Sequence, residues 1–537
     1  MQILIPMSGF GERFKKVGYS VPKPLIEVDG KTIIEHIVEM FPGQDKIIFI
    51  CNKDHLIEKK YHMREILNNI APKSKIIGID PHKLGPIHAV LQVIDQINLQ
   101  EPTIVNYADF TCDWDFVNFC RTVSESGCDG AIPCYRGFHP HTLWSNYYAY
   151  VPEIEMRATN IQEKQPFTDS PKDEFASSGT YYFKNAFLMQ EYFERCIQEG
   201  LTVGGEYYVS MAYKPMIDDG LNIQVYELDH FMQWGTPLDL EEYQYWSNVF
   251  HAILCEQEQP HQKGSLLIPM VGLGSRFSKE GYTVPKPLIK VSMKPMAVQA
   301  LNDLPKSERQ RFVLRRDMQD ADSLKNIIEK NSSSPEFTIL EHMTNGQATT
   351  CVEGSEGLSE EEPITIAACD NGMIYNSDVF ELLMHSEDID VIVWVAKGYP
   401  GAIRNPEMYG WVDSNESGVV KSVSVKKPLS NPSKDHIVVG TFTFKRLDNF
   451  LKSVEMMKNR NGLVNDEYYV DSAINDAVEM GLKCVIFEID YYICWGTPND
   501  LRTFEYWQTC FHNWKGHPYR LEKDRNMIFK KTKIKES

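Results

Sequence analysis

The chain has 537 residues, more than one hydrophobic core can serve, so at least two domains are expected. Its net charge of −19, from 74 acidic against 55 basic residues, excludes a general affinity for nucleic acid or an anionic membrane. The twelve cysteines are scattered, with no C-x-x-C pair and no zinc-type Cys/His spacing, which points to reduced thiols in a cytoplasmic protein.

In chain order, the short apolar run Ile3-Leu4-Ile5 predicts a buried strand. Ser8-Gly9 ends that run before a signal-peptide core could form, and no later stretch reaches the roughly 18 apolar residues of a membrane span. A glycine-rich turn, Gly9-Phe10-Gly11-Glu12-Arg13, follows, and then the block Pro22-Lys23-Pro24-Leu25. Beyond it the pattern alternates: helix over 32–40, strand over 46–51, helix over 57–69, strand over 74–79, helix over 87–97 and strand over 103–106. Strands alternating with helices predict a mostly parallel sheet covered on both faces. Past residue 125 shorter aromatic and β-branched runs, 146–151 and 179–183, suggest an acceptor-binding lobe. The Tyr207-Tyr208 and Tyr468-Tyr469 pairs read as core.

The chain then repeats itself. Residues 5–28 recur as 268–291 with 17 of 24 positions identical, and the Q-W-G-T-P-L-D-L run at 233–240 returns as C-W-G-T-P-N-D-L at 494–501, an offset of 261. A period this long is a domain duplication and not a solenoid. The polar Pro- and Gly-containing stretch 256–264 reads as a linker, giving domains 1–255 and 265–514. The tail 515–537, with eight Lys or Arg against three acids, reads as a solvated end.

What both copies retain is chemical as well as apolar. Gly9, Gly11, Arg13 and Lys23 reappear as Gly272, Gly274, Arg276 and Lys286. Such a loop offers backbone N–H groups, a forked guanidinium and a proline-stiffened lysine to phosphate oxygens. It is not the dinucleotide fingerprint, because Phe14 stands where the third glycine belongs. Two other features are weaker: His139-Pro140-His141 is expected in an exposed loop, and Asp113-Trp114-Asp115 is a D-x-D that the second copy lacks.

The run G-x-G-x-R-F followed by P-K-P-L, closed by W-G-T-P-x-D-L, resembles the nucleotidyltransferases that activate sugar 1-phosphates and related small phosphates, with the cytidylyltransferase branch nearest in flavour. That resemblance implies two tandem Rossmann-like, GT-A-like α/β domains, each a mostly parallel mixed sheet flanked by helices. It implies Arg13, Lys23, Arg276 and Lys286 as catalytic residues, and Gly85 in the base-binding loop of copy one against Gly346 and Gln347 in copy two. It also implies Mg2+ on Asp109 and Asp370, and acceptor contacts from Lys164, Gly179, Glu206, Lys426, Gly440 and Glu467. The family's second metal aspartate falls on Gln233 and Cys494, poor Mg2+ ligands, so Asp229 and Asp490 are candidate substitutes.

On this reading the partners are an NTP, CTP favoured, and a phosphorylated small-molecule acceptor. The product would serve surface-polysaccharide precursor synthesis. Three alternatives stay open: a bifunctional enzyme with two acceptors, one active half with a nucleotide-sensing half, and a GT-A glycosyltransferase using the D-x-D.

Overall fold

The computed structural model describes residues 1–143, 148–255 and 257–527. The chain divides into two compact units, 1–247 with 513–517, and 248–512 with 518–537.

In the first unit the sheet is built around Gln2–Met7, fully apolar in its centre, which pairs in parallel with Ile47–Asn52 on one side and Thr103–Asn106 on the other. Lys75–Ile79 extends the parallel side. Thr180–Phe183 runs antiparallel between Thr103–Asn106 and Gly130–Tyr135, so the sheet is mixed. The second unit repeats the plan with His261–Pro269 at the centre, between Lys306–Arg315 and Ile364–Ile366, and with His436–Phe444 as the antiparallel strand. These are the two mostly parallel, helix-flanked mixed sheets that the repeat and the alternating pattern predict. Each sheet buries its own core: Leu4, Ile50, Val105 and Phe183 in the first, Leu267, Val313, Ile366 and Phe444 in the second.

Several local expectations are revised. The helix read over 57–69 is broken into Lys53–Ile57 and Met63–Ile70, because His62 takes a left-handed φ of 48°. The stretch read as linker is partly strand, since His261 and Gln262 pair with Lys306 and Ser307. The basic tail is not solvated throughout: His517, Tyr519 and Asp524 are buried, and the Tyr519 hydroxyl donates to Asp524 at 2.6 Å. Of the strand expected over 146–151, Ala149–Tyr150 is present, while residues 146–147 lie outside the described residues, as do 256 and the final ten of the tail. Among the described residues no helix is long and apolar enough to cross a membrane.

Candidate nucleotide and acceptor site

The geometry follows from three strand ends meeting at one edge of the sheet. In the first unit Gln2–Met7 delivers the glycine loop, Thr103–Asn106 delivers Asp109, and the short pair Phe110–Asp113 with His230–Gln233 brings Gln233 and Gly235 alongside. Together with Arg13, Lys23, Lys164 and Glu206 they line a cleft of about 650 Å3. Lys23 Nζ lies 3.2 Å from Asp109 Oδ2. The second unit repeats this pair as Lys286 and Asp370, with Lys286 Nζ also donating to the Gly496 carbonyl at 3.1 Å. Burial opposes the charge on Lys286, but Asp370 favours it, and the lysine pKa is raised on balance.

Of the residues named from sequence, Gly9, Gly11, Arg13, Lys23, Gly85, Asp109, Lys164, Gly179 and Glu206 all line the first cleft. In the second unit Gly274 packs its backbone against Lys286, and Gly440 approaches Ala368, two residues before Asp370. Gly272 and Arg276 are exposed on the loop and short helix beside them, and Gln347 is half-buried at the first position of the Gln347–Gly354 helix.

Gly85 and Gly346 have a structural reason to be glycine in both copies. Each holds a positive φ, 89° and 112°, and an added Cβ would meet the backbone of Tyr207 or Tyr468 at 2.7 and 2.5 Å. The Tyr207 N–H donates to the Leu84 carbonyl and the Tyr468 N–H to the Asn345 carbonyl, so the Gly85 and Gly346 loops are each tied to the E-Y-Y segment of their own unit.

The tyrosines that follow are not core. Lys164 donates to the Tyr208 hydroxyl at 2.7 Å, and that hydroxyl donates to Glu206 at 2.5 Å. Lys426 donates to the Tyr469 hydroxyl at 2.9 Å. Burial and Glu206 push the Tyr208 phenol's pKa up, while nearby Arg13 opposes the shift; Glu467 and Arg276 act likewise on Tyr469. Lys164 and Lys426 both take positive φ, 60° and 55°.

Asp239, missed in the sequence, sits next to this centre. Thr236 Oγ1 donates to its carboxylate at 2.7 Å, and burial raises its pKa to about 6, with Lys23 opposing. The second-unit Asp500 has the same threonine partner. The signal was present: both aspartates hold one place in the repeated W-G-T-P-x-D.

Asp229 and Asp490 are placed elsewhere. Both are exposed in turns at the start of the strands that end at Gln233 and Cys494, and four residues of strand put them about 13 Å from those ends. Gln233 and Cys494 themselves face the strand-end aspartates. A Cβ at Gly235 would fall 2.4 Å from the Gln233 amide nitrogen and 3.5 Å from Asp109 Oδ2; at Gly496 it would fall 3.3 Å from Cys494 Sγ and 3.2 Å from Asp370 Oδ2.

This geometry tests the fit of Mg2+. One carboxylate suits a cation that also binds phosphates, so Asp109 fits; Gln233, a poor ligand by its chemistry, adds only a neutral amide beside it. Cys494 does not fit, because burial holds its thiol neutral and sulfur is a soft donor.

Two other motifs are structural. In the D-x-D, Trp114 Nε1 donates to the Met40 carbonyl at 2.9 Å and Asp115 caps the Phe116–Ser126 helix through the Asn118 N–H. His139 and His141 are buried, not exposed, and His141 contacts the Tyr135 hydroxyl at 2.9 Å; desolvation lowers His139 to about 3.

A duplicated α/β sheet with a glycine–arginine–lysine loop set against a strand-end aspartate defines a class of protein with backbone N–H groups and cations gathered at the strand ends of each copy. The nucleotidyl transferase family model matches residues 3–202 and 267–501, and the chain belongs to that family. Mannose-1-phosphate guanyltransferase beta-B of Xenopus laevis is 27% identical over 196 residues, 35% of this chain and 51% of that protein. The bifunctional protein GlmU of Lactobacillus johnsonii is 26% identical over 240 residues, 43% of this chain and 47% of its own length. The chain thus spans about half the length of the curated relatives it matches. The inositol-1-phosphate CTP transferase of T. maritima superposes with a TM-score of 0.37 at 15% identity, covering 46% of this chain and 96% of that one.

Proposed function

We propose that the chain is a nucleotidyltransferase that joins an NTP to a phosphorylated small molecule and releases pyrophosphate. The observation that carries this reading is the lysine–aspartate pair beside the glycine loop, built twice as Lys23–Asp109 and Lys286–Asp370. In the reaction an acceptor phosphate oxygen attacks the α-phosphorus in line with departing pyrophosphate. No general base is needed, because the attacking oxygen is already anionic. Arg13 and Arg276 grip the β- and γ-phosphates, Lys23 and Lys286 the α-phosphoryl oxygens, and Lys164 and Lys426 hold the acceptor phosphate. Asp109, and Asp370 at the same place in the second unit, would hold Mg2+, which would neutralise phosphate charge.

The sequence resemblance favours CTP as nucleotide and a surface-polysaccharide precursor as product. The twelve cysteines form no disulfide, which supports a reducing, cytoplasmic setting. One observation favours a second reading, in which only the first unit turns over and the second binds: Gln233 is replaced by Cys494 beside Asp370.

The test is pyrophosphate release from the full chain with each of the four NTPs against sugar phosphates and other small phosphate esters. Release with one NTP and a phosphorylated acceptor is expected, and release with none would contradict the reading.

A further inference from the structure

The two units carry a carboxylate near the paired lysine on different elements, Glu163 on the strand Gln162–Glu163 and Asp471 on the helix Val470–Glu479. In the first unit Glu163 lines the cleft, and its Oε2 accepts a 2.6 Å hydrogen bond from the Ser210 hydroxyl. Tyr107, Ser177 and Tyr181 line the same cleft, the last two with their hydroxyls 2.7 Å apart. Carboxylate and hydroxyls form one polar wall.

The second unit dismantles that wall. Val425 replaces Glu163 in front of the retained lysine, while Ala368, Val438 and Phe442 stand for Tyr107, Ser177 and Tyr181 at the offset of 261. The carboxylate comes instead from the helix, because Asp471 replaces Ser210. Space for it is made at residue 410, glycine where the first unit has Ala149: a Cβ there would lie 2.4 Å from Asp471 Oδ2. Gly410 and Asp471 are therefore a matched pair: the carboxylate fills the space that a Cβ at 410 would take.

Asp471 is half-buried, and beyond its own backbone N–H no donor among the described residues is bonded to it. Lys426 is the cation that acts on it, but that lysine is already bound to the Tyr469 hydroxyl. Burial raises the Asp471 pKa to about 6, so retaining an anion here is costly unless a ligand offsets it. A carboxylate against an apolar wall is best satisfied by a cation, whereas a carboxylate among hydroxyls suits a polyol.

We propose that the second unit's pocket takes a phosphate ester bearing an ammonium group, held by Asp471, while the first unit's takes a polyhydroxylated phosphate read by Glu163 and its hydroxyl neighbours. The proposal rests on the reading of both clefts as acceptor sites, and adds the chemical class of each acceptor.

Calorimetric titration of the full chain without nucleotide tests it, with O-phosphoethanolamine, ethyl phosphate and glucose 1-phosphate as probes. O-phosphoethanolamine should bind more tightly than ethyl phosphate, and Asp471→Asn should erase about tenfold of that preference, the weight of one charge-assisted contact, with glucose 1-phosphate unchanged. Glu163→Val should weaken glucose 1-phosphate and leave O-phosphoethanolamine alone. Asp471→Ser, the first unit's residue at that place, serves as the second variant if the asparagine does not fold.

Equal binding of O-phosphoethanolamine and ethyl phosphate by the unmodified chain overturns the proposal. So does an equal loss of both in Asp471→Asn, which would make the carboxylate only a support for Lys426. Pyrophosphate release on the same preparations separates the two levels. Binding as expected with no release refutes nucleotidyl transfer alone, and release without amine preference refutes this assignment alone.

Discussion

Gln233 and Cys494 occupy one position in two copies of one device, and the difference between them shows how a duplicated site drifts. Around both, the glycine loop, the lysine–aspartate pair and the G-T-P-x-D turn are retained. In the first unit the residue beside the aspartate carries a neutral amide; in the second it carries a neutral thiol that sits 3.3 Å from the Gly496 nitrogen and 3.6 Å from Asp500. On the proposed reading, the groups held constant are those assigned to the phosphates, and the groups that change are those assigned to the metal and the acceptor.

The comparison breaks first at the aspartates. Asp109→Asn should lower first-unit turnover by about 10² or more, the scale of losing a preorganised charge at a phosphoryl centre, and Asp370→Asn should do the same to whatever turnover the second unit has. Steady-state pyrophosphate release reads both.

Next come the residues that differ. Gln233→Cys should weaken Mg2+ binding of the first unit about tenfold, and Cys494→Gln should strengthen that of the second by a similar factor, measured by calorimetric Mg2+ titration with bound nucleotide. Unchanged Mg2+ affinity in both variants would remove the distinction drawn between the units.

A smaller effect concerns pH. The Asp471 carboxyl titrates at about 6 in the folded chain, above its ordinary 3.8, so the native state binds the extra proton between those values. Stability of the second unit therefore falls as pH rises from about 4 to 6, and Asp471→Asn should recover about 1–2 kcal/mol at pH 7 but nothing at pH 4. Thermal unfolding at the two pH values checks the sign.

Smallest is the hairpin after the lysine block. Asp29-Gly30 makes the turn in the first unit with φ of 48° and 78°, as a two-residue hairpin prefers; Ser292-Met293 must hold 48° and 68° in the second. Met293→Gly should stabilise that unit by roughly 0.5–1 kcal/mol in denaturant melts, and Gly30→Met should cost the first unit a similar amount.

Much of this was legible in the sequence because the repeat acts as an internal control. Apolar runs such as Ile3-Leu4-Ile5 and Leu266-Leu267-Ile268 marked the central strands, residues retained at fixed spacing marked Lys23, and the family resemblance pointed to Asp109. Side-chain direction was not legible. Tyr208 looks like core from composition, yet its hydroxyl lies between Lys164 and Glu206. Asp229, retained and acidic, looks like a ligand, but four residues of extended strand carry it away from Gln233. His139 and Asp115 were misleading because local capping and burial, which periodicity does not report, settle their roles. Nor could sequence alone pair Gly410 with Asp471, 61 residues apart and joined only through the fold.

The central claim is that the lysine beside each strand-end aspartate acts on the same phosphoryl group in both units. Pyrophosphate release by Lys23→Ala, Lys286→Ala and the double variant tests it most directly. Each single variant should lose the turnover of its own unit by about 10² or more, and the double variant nearly all; a double variant that releases pyrophosphate at the rate of the unmodified chain would show that the lysines do not act on the phosphoryl group.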